Sequence, residues 1–325
     1  MLKQEGNKLY RRQDKELLLI EPWGKNSLRV RATQRHEFLP DGNGNSALLT
    51  PSAAEAEIAI DGKQATITNG KITCTVSENG ELQFCNQDGE VLLEEYSRVR
   101  DTQAEGRNRF ASALEIVPRT FNPRQSTDHY RLTVRFESND GEKLYGMGQY
   151  QQPFLDLKGC VIELAHRNSQ ASVPFVLSDR GYGMLWNNPA IGHYTFGNNV
   201  TEWVAESTKQ MDYWITAGDT PAQIEEAYAD ATGKVPMMPE YGMGFWQCKL
   251  RYQTQDEILE VAREYKRRGL PIDVIVADYF HWPHQGDWKF DEDYWPDPAA
   301  MVRELKEMGI ELMVSIWPTV DAERE

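Results

Sequence analysis

The sequence has no long apolar run, few cysteines and no excess of basic charge. No segment approaches the ~18 consecutive apolar residues of a membrane-spanning helix, and residues 1–23 carry no signal-peptide-like apolar stretch. The four cysteines, Cys74, Cys85, Cys160 and Cys248, lie far apart without a CxxC pair. This spacing fits neither a zinc ribbon nor a disulfide-rich extracellular domain, and it favours a reducing, cytoplasmic location.

Basic residues are outnumbered by acidic ones, 35 against 50, which gives a formal net charge of -15. Nucleic acids and anionic membranes need clusters of Lys and Arg for their phosphates, so neither is expected as a partner. A neutral polar ligand is unaffected by this charge. Neither a GxSxG elbow nor a phosphate-binding or dinucleotide-binding glycine loop is present, since LYGMGQ at 144–149 has only two glycines and lies among predicted strands.

The chain has 325 residues, which is enough for two domains. Its first two-thirds, residues 1–218, consist mainly of short alternating or β-branched runs separated by turn residues. The clearest case is the stretch 63–95, where Asn-Gly or Asp-Gly pairs lie at 69–70, 79–80 and 88–89. Asn-Gly supplies the two positive-φ positions of a tight hairpin, so this stretch predicts an antiparallel meander. Many short strands with few helices predict a large β-sandwich over 1–218.

Residues 219–240 are predicted to form a helix and a linker. Thr220 is a plausible N-cap, Pro221 occupies the first helical position and Gly233 lies at the predicted end. The two prolines that follow, within 234–241, indicate the linker.

Residues 241–325 alternate between strand and helix patterns. Apolar strands are predicted at 242–247, 272–277 and 311–317. Strand–helix–strand spacing requires parallel strands, because each helix returns the chain to the same edge of the sheet. An open doubly wound sheet and a (β/α)8 barrel both fit this pattern.

Two helices are predicted between these strands. Thr254 and Glu257 form a capping box, and Ile258, Val261, Ala262 and Tyr265 then recur at the spacing of one buried helix face. The second helix is predicted to begin at Asp297-Pro298 and to end at Gly309. Three strands cannot close a barrel, so we expect the sequence to continue beyond Glu325.

Aromatic residues and one carboxylate follow the predicted strand ends: Trp246, Asp278, Tyr279, Phe280 and Trp317. In an α/β barrel the ligand binds beyond these ends. Aromatic faces stack on the apolar faces of sugar rings and a carboxylate accepts hydrogen bonds from hydroxyls, so this set favours a neutral carbohydrate. The alternative for Trp246 and Trp317 is that they fill the barrel core.

The pair His281-x-x-His284 could indicate a metal site, but no third ligand has suitable spacing. We therefore expect these histidines to serve in a hydrogen-bonded loop, with neither a metal nor a cofactor.

Several longer motifs resemble glycoside hydrolase family 31. They cover nearly the whole chain in order: LYGMGQ (144–149), SVPFVLSDRGYGMLWN (172–187), TPAQI (220–224), VPMMPEYGMGFWQ (235–247), GLPIDVIVADYF (269–280), GDWKFD (286–291), YWPDP (294–298) and MGIELMVSIWP (308–318).

The resemblance implies a galactose-mutarotase-like β-sandwich over 1–218, a helix and linker over 219–240, and over 241–325 the first three strands of an incomplete (β/α)8 barrel. It also implies retaining hydrolysis of terminal non-reducing α-linked sugars, with the α-xylosidases of bacteria as the most similar members. Family members use two catalytic aspartates after the fourth and sixth strands, so the pair is expected beyond Glu325 and this chain is expected to be inactive alone.

The resemblance further implies which residues bind the sugar. Asp278 matches the family's aspartate that binds hydroxyls in the −1 subsite. Tyr279, Phe280, Trp288 and Trp317 match neighbouring positions in the pocket wall, and Asn168 matches a sandwich loop that reaches over the site. The partner is then an α-linked oligosaccharide, and a homo-oligomer of the full-length form stays open.

Two alternatives remain. One is a sister activity on the same fold, an α-glucosidase, α-galactosidase or transglycosylase. The other is a non-catalytic carbohydrate-binding fragment.

Overall fold

The structure is a computed structural model that describes residues 1–41, 46–51, 54–98 and 115–322. The chain divides into two compact units, Met1–Lys234 and Val235–Glu325. In the part of the chain that is described, no helix is long and apolar enough to cross a membrane.

The strands described in the first unit are β1 Leu2–Glu5, β2 Lys8–Gln13, β3 Glu16–Pro22, β4 Ser27–Thr33, β5 Glu57–Asp61, β6 Gln64–Asn69, β7 Ile72–Val76, β8 Leu82–Cys85, β9 Val91–Glu94, β10 Arg119–Pro123, β11 Tyr130–Phe136, β12 Leu144–Gln149, β13 Val161–Leu164, β14 Ala171–Ser178, β15 Tyr182–Trp186, β16 Gly192–Phe196, β17 Thr201–Thr208 and β18 Met211–Ala217. In the described residues they form three antiparallel sheets. The eight-stranded sheet has the order β1-β2-β3-β4-β18-β15-β14-β12, one five-stranded sheet has the order β10-β11-β17-β16-β13, and a second five-stranded sheet is a simple meander of β5 to β9.

Aromatic contacts show that the three sheets share one core. Trp186 of β15 stacks on Trp203 of β17 with ring centroids 5.5 Å apart, so the eight-stranded sheet and the sheet that contains β17 face each other as a sandwich. Tyr213 of β18 makes edge contacts with Phe84 of the meander and with Phe136 of β11. Such pairs contribute roughly 0.5–1.5 kcal/mol each beyond the burial of their area. The predicted β-sandwich is therefore confirmed.

The meander predicted from the Asn-Gly signals is present, but its first turn differs in detail. Asn69 is the last residue of β6 and pairs with Ile72, so the turn consists of Gly70, which has φ +58, and Lys71. Asn69 is buried and its side-chain amide donates to the carbonyls of Gly24 and Ser27, both at 2.7 Å. The turn chemistry is local and predictable, whereas this tie to the β3–β4 hairpin depends on tertiary packing.

The helix predicted after residue 218 is confirmed as α1, Pro221–Thr232, and Thr220 caps it by accepting from the backbone N–H of Gln223. Its buried residues, Ile224 and Ala231, belong to a small second hydrophobic core of the first unit, together with Trp23, Phe175, Leu185 and Trp214. The ranges 1–218, 219–240 and 241–325 remain a prediction of the domain boundaries.

The elements described in the second unit are a short 3-10 helix Glu240–Met243, β19 Trp246–Gln247, α2 Gln255–Arg267, β20 Val274–Ala277, α3 Pro298–Glu307 and β21 Glu311–Val314. Its three strands form a parallel sheet of order β19-β20-β21, with one helix between successive strands. The predicted helix face is confirmed, since Ile258 and Ala262 are buried against β20 and α3 in a core of their own.

The helix beginnings follow the sequence signals closely. Thr254 Oγ1 accepts from the N–H of Glu257 at 3.2 Å, and Asp297 accepts from that of Ala300 at 2.8 Å. The capping box differs in one respect, because the Glu257 carboxylate accepts from the N–H of Gln253 rather than from that of Thr254.

The first predicted strand of this unit, 242–247, is wrong in its extent. Within this range only Trp246 and Gln247 form the strand, and Gly242 and Met243 belong to the 3-10 helix. The reason lies at Gly244, where the backbone is packed against the Asp273 side chain. That carboxylate accepts from the N–H of Phe245 at 2.9 Å, so this N–H is bound by a side chain, while the Phe245 carbonyl accepts from the N–H of Val274 in β20 at 3.2 Å.

Candidate functional site

Asp278 is held at the carboxyl end of the central strand β20. All four residues of β20 are buried, so the half-buried Asp278 is the first polar group that the chain reaches after leaving the core. Its Oδ1 accepts from the N–H of Tyr279 at 2.8 Å, and the thiol of Cys248, which follows β19, lies 3.7 Å from its Oδ2. Because parallel strands end at one edge, neighbouring strands contribute to the same place.

The electrostatic effect of this contact is visible at Cys248. Partial burial and then the nearby Asp278 carboxylate raise the pKa of the Cys248 thiol. The thiol is therefore protonated at neutral pH and can donate weakly to the carboxylate.

Three aromatic rings, two of them from the residues directly after Asp278, contact one another. Tyr279 is half-buried and stacks on Trp317 with centroids 4.9 Å apart and an interplanar angle of 15°, and it also contacts the Phe280 ring at 4.1 Å. Phe280 and Trp317 are 48% and 41% exposed, so both present free ring surface. Exposed ring faces next to a carboxylate can bind a sugar ring by stacking and by hydrogen bonds to its hydroxyls.

The long loop between β20 and α3 is hydrogen-bonded to the residues that follow β20 and to those that follow β21. His281 is buried, and its Nδ1 lies 3.0 Å from the Asp278 carbonyl, which can only accept, so Nδ1 carries the proton. Burial lowers the pKa of His281 despite the opposing effects of Asp278. Trp288 donates from its indole N–H to the Trp317 carbonyl at 3.2 Å. These bonds place Trp288 next to the ring cluster.

The histidine pair is accounted for in part by this loop, since His281 makes the bond just described. Among the residues that the structure describes, no group of three or more His, Cys, Asp or Glu side chains is arranged to hold a metal ion.

Of the six residues that the sequence predicts as sugar ligands, five lie in the second unit: Asp278, Tyr279, Phe280, Trp288 and Trp317. The contacts above join them into one cluster. The sixth, Asn168, lies in the first unit, exposed in a turn closed by the N–H of Gln170 and the carbonyl of Arg167 at 3.1 Å. Its assignment to the site remains a prediction.

Sequence reasoning missed several residues that touch this cluster, and two of them follow β19. Cys248 contacts Asp278, and Arg251 contacts Phe280 by a hydrogen bond from Nη1 to the carbonyl at 3.1 Å. Both follow β19, so the rule that parallel strands end at one edge could have identified them.

Two family models match the chain. Residues 18–194 match the glycosyl hydrolase 31 N-terminal galactose mutarotase-like domain, and residues 235–325 match the glycosyl hydrolases family 31 TIM-barrel domain. The chain belongs to glycoside hydrolase family 31. Its second unit is thus part of that family's barrel rather than an open doubly wound sheet.

Relatives within family 31 cover nearly all of this chain. An uncharacterized family 31 glucosidase of Pseudescherichia vulneris is 55% identical over 324 residues, which are 98% of this chain and 60% of the relative. Alpha-xylosidase A of Aspergillus niger is 33% identical over 316 residues, 94% of this chain and 42% of the relative.

A solved structure agrees with these matches. The family 31 alpha-xylosidase from a soil metagenome, complexed with xylose, is 56% identical and superposes with a TM-score of 0.91 over 100% of this chain and 48% of that one. The chain therefore spans 60% or less of the length of each of these three proteins.

Proposed function

We propose that this chain is the N-terminal part of a retaining α-glycosidase that releases terminal non-reducing α-xylosyl residues from oligosaccharides. The observation that carries the proposal is the Asp278 carboxylate bound to the Tyr279 N–H, with the Tyr279 ring in contact with the exposed rings of Phe280 and Trp317. The relatives named alpha-xylosidase, one of them solved with xylose, support the choice of sugar.

In this proposal the chain binds and orients the sugar but does not break the bond. Retaining glycosidases use two carboxylates about 5 Å apart, one as nucleophile and one as general acid and base. We assign that pair to the part of the relatives that this chain does not span. Asp278 then accepts hydrogen bonds from sugar hydroxyls, each worth about 1.5–3 kcal/mol because the acceptor is charged.

Selectivity for xylose is proposed to be steric. Xylose is glucose without the C6 hydroxymethyl group, so bulky rings next to Asp278 exclude the larger sugar. Tyr279 and Phe280 supply that bulk. Packing alone discriminates one small group by roughly 1–3 kcal/mol, so the preference is expected to be partial.

A second candidate is an α-glucosidase. The observation that favours it is the name of the 55% identical relative, a family 31 glucosidase. A comparison of rates on an α-xyloside and an α-glucoside separates these two candidates. Sugar binding without hydrolysis would instead favour the remaining alternative, a non-catalytic carbohydrate-binding fragment.

The test uses p-nitrophenyl α-xyloside and an extended chain, in which residues 1–325 are joined to the part of the 55% identical relative that they do not span. The extended chain should hydrolyse the xyloside and the 325-residue chain should not. Robust turnover by the 325-residue chain would show that the catalytic pair is already present.

Asp278→Asn tests the sugar ligand in the extended chain. The variant keeps an oxygen that can accept from Tyr279 but loses the charge, so kcat/KM on the xyloside should fall about 10- to 100-fold. Glu292→Gln, in the exposed part of the same loop, is the control and should leave the rate unchanged. Equal kcat/KM values for the two variants would mean that Asp278 does not bind the sugar.

Tyr279→Ala tests the steric explanation. Removing the ring that contacts both Phe280 and Trp317 should widen tolerance for a C6 group, so the ratio of xyloside to glucoside kcat/KM should fall about tenfold. An unchanged ratio would mean that the Tyr279 ring does not exclude the C6 group.

We further propose a cytoplasmic location and an α-linked oligosaccharide as the partner. The four cysteines are all unpaired in the structure, which suits a reducing compartment.

A further inference from the structure

We propose that Arg251, in the segment after β19, fixes the position of Phe280 and so determines how large a sugar the site accepts. This inference rests on the proposed function, because it concerns the sugar selectivity of the same site. Arg251 is a positioning residue in this scheme, since it acts through Phe280.

The backbone of Phe280 needs such support. Its φ is +69, in the left-handed region that bulky L residues rarely adopt. A residue held there stores roughly 1–3 kcal/mol of strain and persists only where its surroundings fix it. Phe280 stands where the chain turns from the end of β20 into the long loop, and this conformation sets the direction of its ring.

Arg251 contacts both the backbone and the ring of Phe280. Its Nη1 donates to the Phe280 carbonyl at 3.1 Å, and its guanidinium carbon lies 5.0 Å from the centroid of the ring. The second distance is within the range of a cation–π interaction. Together the two contacts fix the peptide and the side chain at once.

Other neighbours of Phe280 cannot replace this contact. Tyr279 and Trp282 approach its ring, at 4.1 Å and 6.3 Å between centroids, but they hold only the side chain. In the described part of the chain, Arg251 is the side chain that hydrogen-bonds the Phe280 carbonyl. Loss of the guanidinium therefore frees the peptide to relax toward negative φ and to carry the ring away from its place.

The experiment compares the two p-nitrophenyl glycosides, α-xyloside and α-glucoside, in the extended chain. For Arg251→Gln the ratio of xyloside to glucoside kcat/KM should fall roughly tenfold, because a moved ring no longer excludes the C6 group. The fall in the ratio should come mainly from faster cleavage of the glucoside, because Asp278 and Trp317 still bind the smaller sugar after the Phe280 ring has moved.

Two matched variants separate positioning from a general structural role. Arg251→Lys retains a cationic donor but loses the planar guanidinium, so its ratio should lie between those of wild type and Arg251→Gln. Arg303→Gln removes an exposed arginine of α3 and should change nothing. Circular dichroism and the thermal midpoint confirm that each variant folds.

A double-mutant cycle tests whether the effect passes through Phe280. Phe280→Ala should lower the ratio by itself, and adding Arg251→Gln should then lower it no further, because coupled residues are not additive.

The failures are distinguishable. If Arg251→Gln lowers both rates equally, leaves the ratio unchanged or acts additively with Phe280→Ala, the role assigned to Arg251 is wrong while the proposed function stands. If the extended wild-type chain cleaves neither glycoside, or prefers the glucoside, the proposed function is wrong and this inference fails with it.

Discussion

At the scale of single residues, the contact between Cys248 and Asp278 joins the ends of two neighbouring strands. The thiol lies 3.7 Å from Oδ2, while the other carboxylate oxygen is bound to the Tyr279 N–H. A weak donor at this place leaves the carboxylate largely available for a ligand, because a thiol competes poorly with sugar hydroxyls as a hydrogen-bond donor.

This contact predicts a change in thiol reactivity that needs no enzymatic activity. Because the Asp278 charge helps to raise the pKa of Cys248, Asp278→Asn should lower that pKa and increase the fraction of thiolate, the reactive form, at about pH 8. Iodoacetamide labelling of the 325-residue chain, followed by peptide mass spectrometry, should show Cys248 modified several-fold faster in the variant.

Cys85 and Cys160 provide the internal control, since both are partly exposed in the first unit and their labelling should not change. A Cys248 rate that is equal in wild type and variant would mean that the thiol and the carboxylate are not in contact.

At the scale of elements, strand β12 shows why two glycines stand in LYGMGQ. The pairing of β12 with β14 shifts register between Gly146 and Gly148, whose φ values are +102 and +96. A Cβ at Gly148 would meet the Ala171 carbonyl. The glycines therefore serve a bulge on an edge strand, which blunts that edge against pairing with other chains.

Gly148→Ala should destabilise the chain more than Gly141→Ala does. Gly141 has φ +70 with open space around it, so its replacement costs only the left-handed backbone, roughly 1–2 kcal/mol. At Gly148 a clash with backbone is added, so the thermal midpoint should be lower than that of Gly141→Ala, measured by near-UV circular dichroism. Equal midpoints would mean that the bulge relaxes without cost.

At the scale of the whole molecule, a buried ion cluster joins the three sheets of the first unit. Arg119 of β10 binds Glu95 beside the meander at 2.6 Å and Glu16 of β3 at 2.9 Å. Glu95 also accepts from the N–H of Leu82 at 2.9 Å and is 3% exposed. Burial, opposed by Arg119, raises the pKa of Glu95 to about 7.

This cluster predicts a specific pH dependence of stability. The folded chain binds a proton at Glu95 more readily than the unfolded chain, whose carboxyl has the ordinary pKa of 4.5. The contribution of Glu95 to the free energy of unfolding is therefore largest below pH 4.5. It declines as the pH rises to about 7, by up to about 3 kcal/mol. Glu95→Gln should remove this decline.

The measurement is the thermal midpoint between about pH 5 and pH 8 for wild type, Glu95→Gln and the exposed control Glu37→Gln. His281 acts in the opposite direction, because its lowered pKa costs stability as the pH falls. The difference between wild type and Glu95→Gln cancels that effect, and parallel profiles would contradict the role of Glu95.

The sequence by itself determined the features that depend on neighbours within a few residues. Thr220, Thr254 and Asp297 were identifiable as helix caps because a cap bonds only two or three residues ahead. The strand periods and the turn glycines are equally local, so the amino-acid pattern alone predicts a sandwich followed by alternating parallel strands and helices. The choice of a barrel over an open sheet came from the resemblance to the family. The placement of Asp278 after an apolar strand followed in the same way.

Tertiary structure alone decided which distant residues meet. Arg29 and Asp212, 183 positions apart, form a buried two-bond ion pair between β4 and β18, and no local pattern predicts it. Likewise, Cys248 reaches Asp278 and Arg251 reaches Phe280 only because β19 and β20 lie side by side. Such contacts arise from the packing of whole elements, whose free energy is shared among many residues. The residue types at the contacting positions therefore do not by themselves indicate the contact.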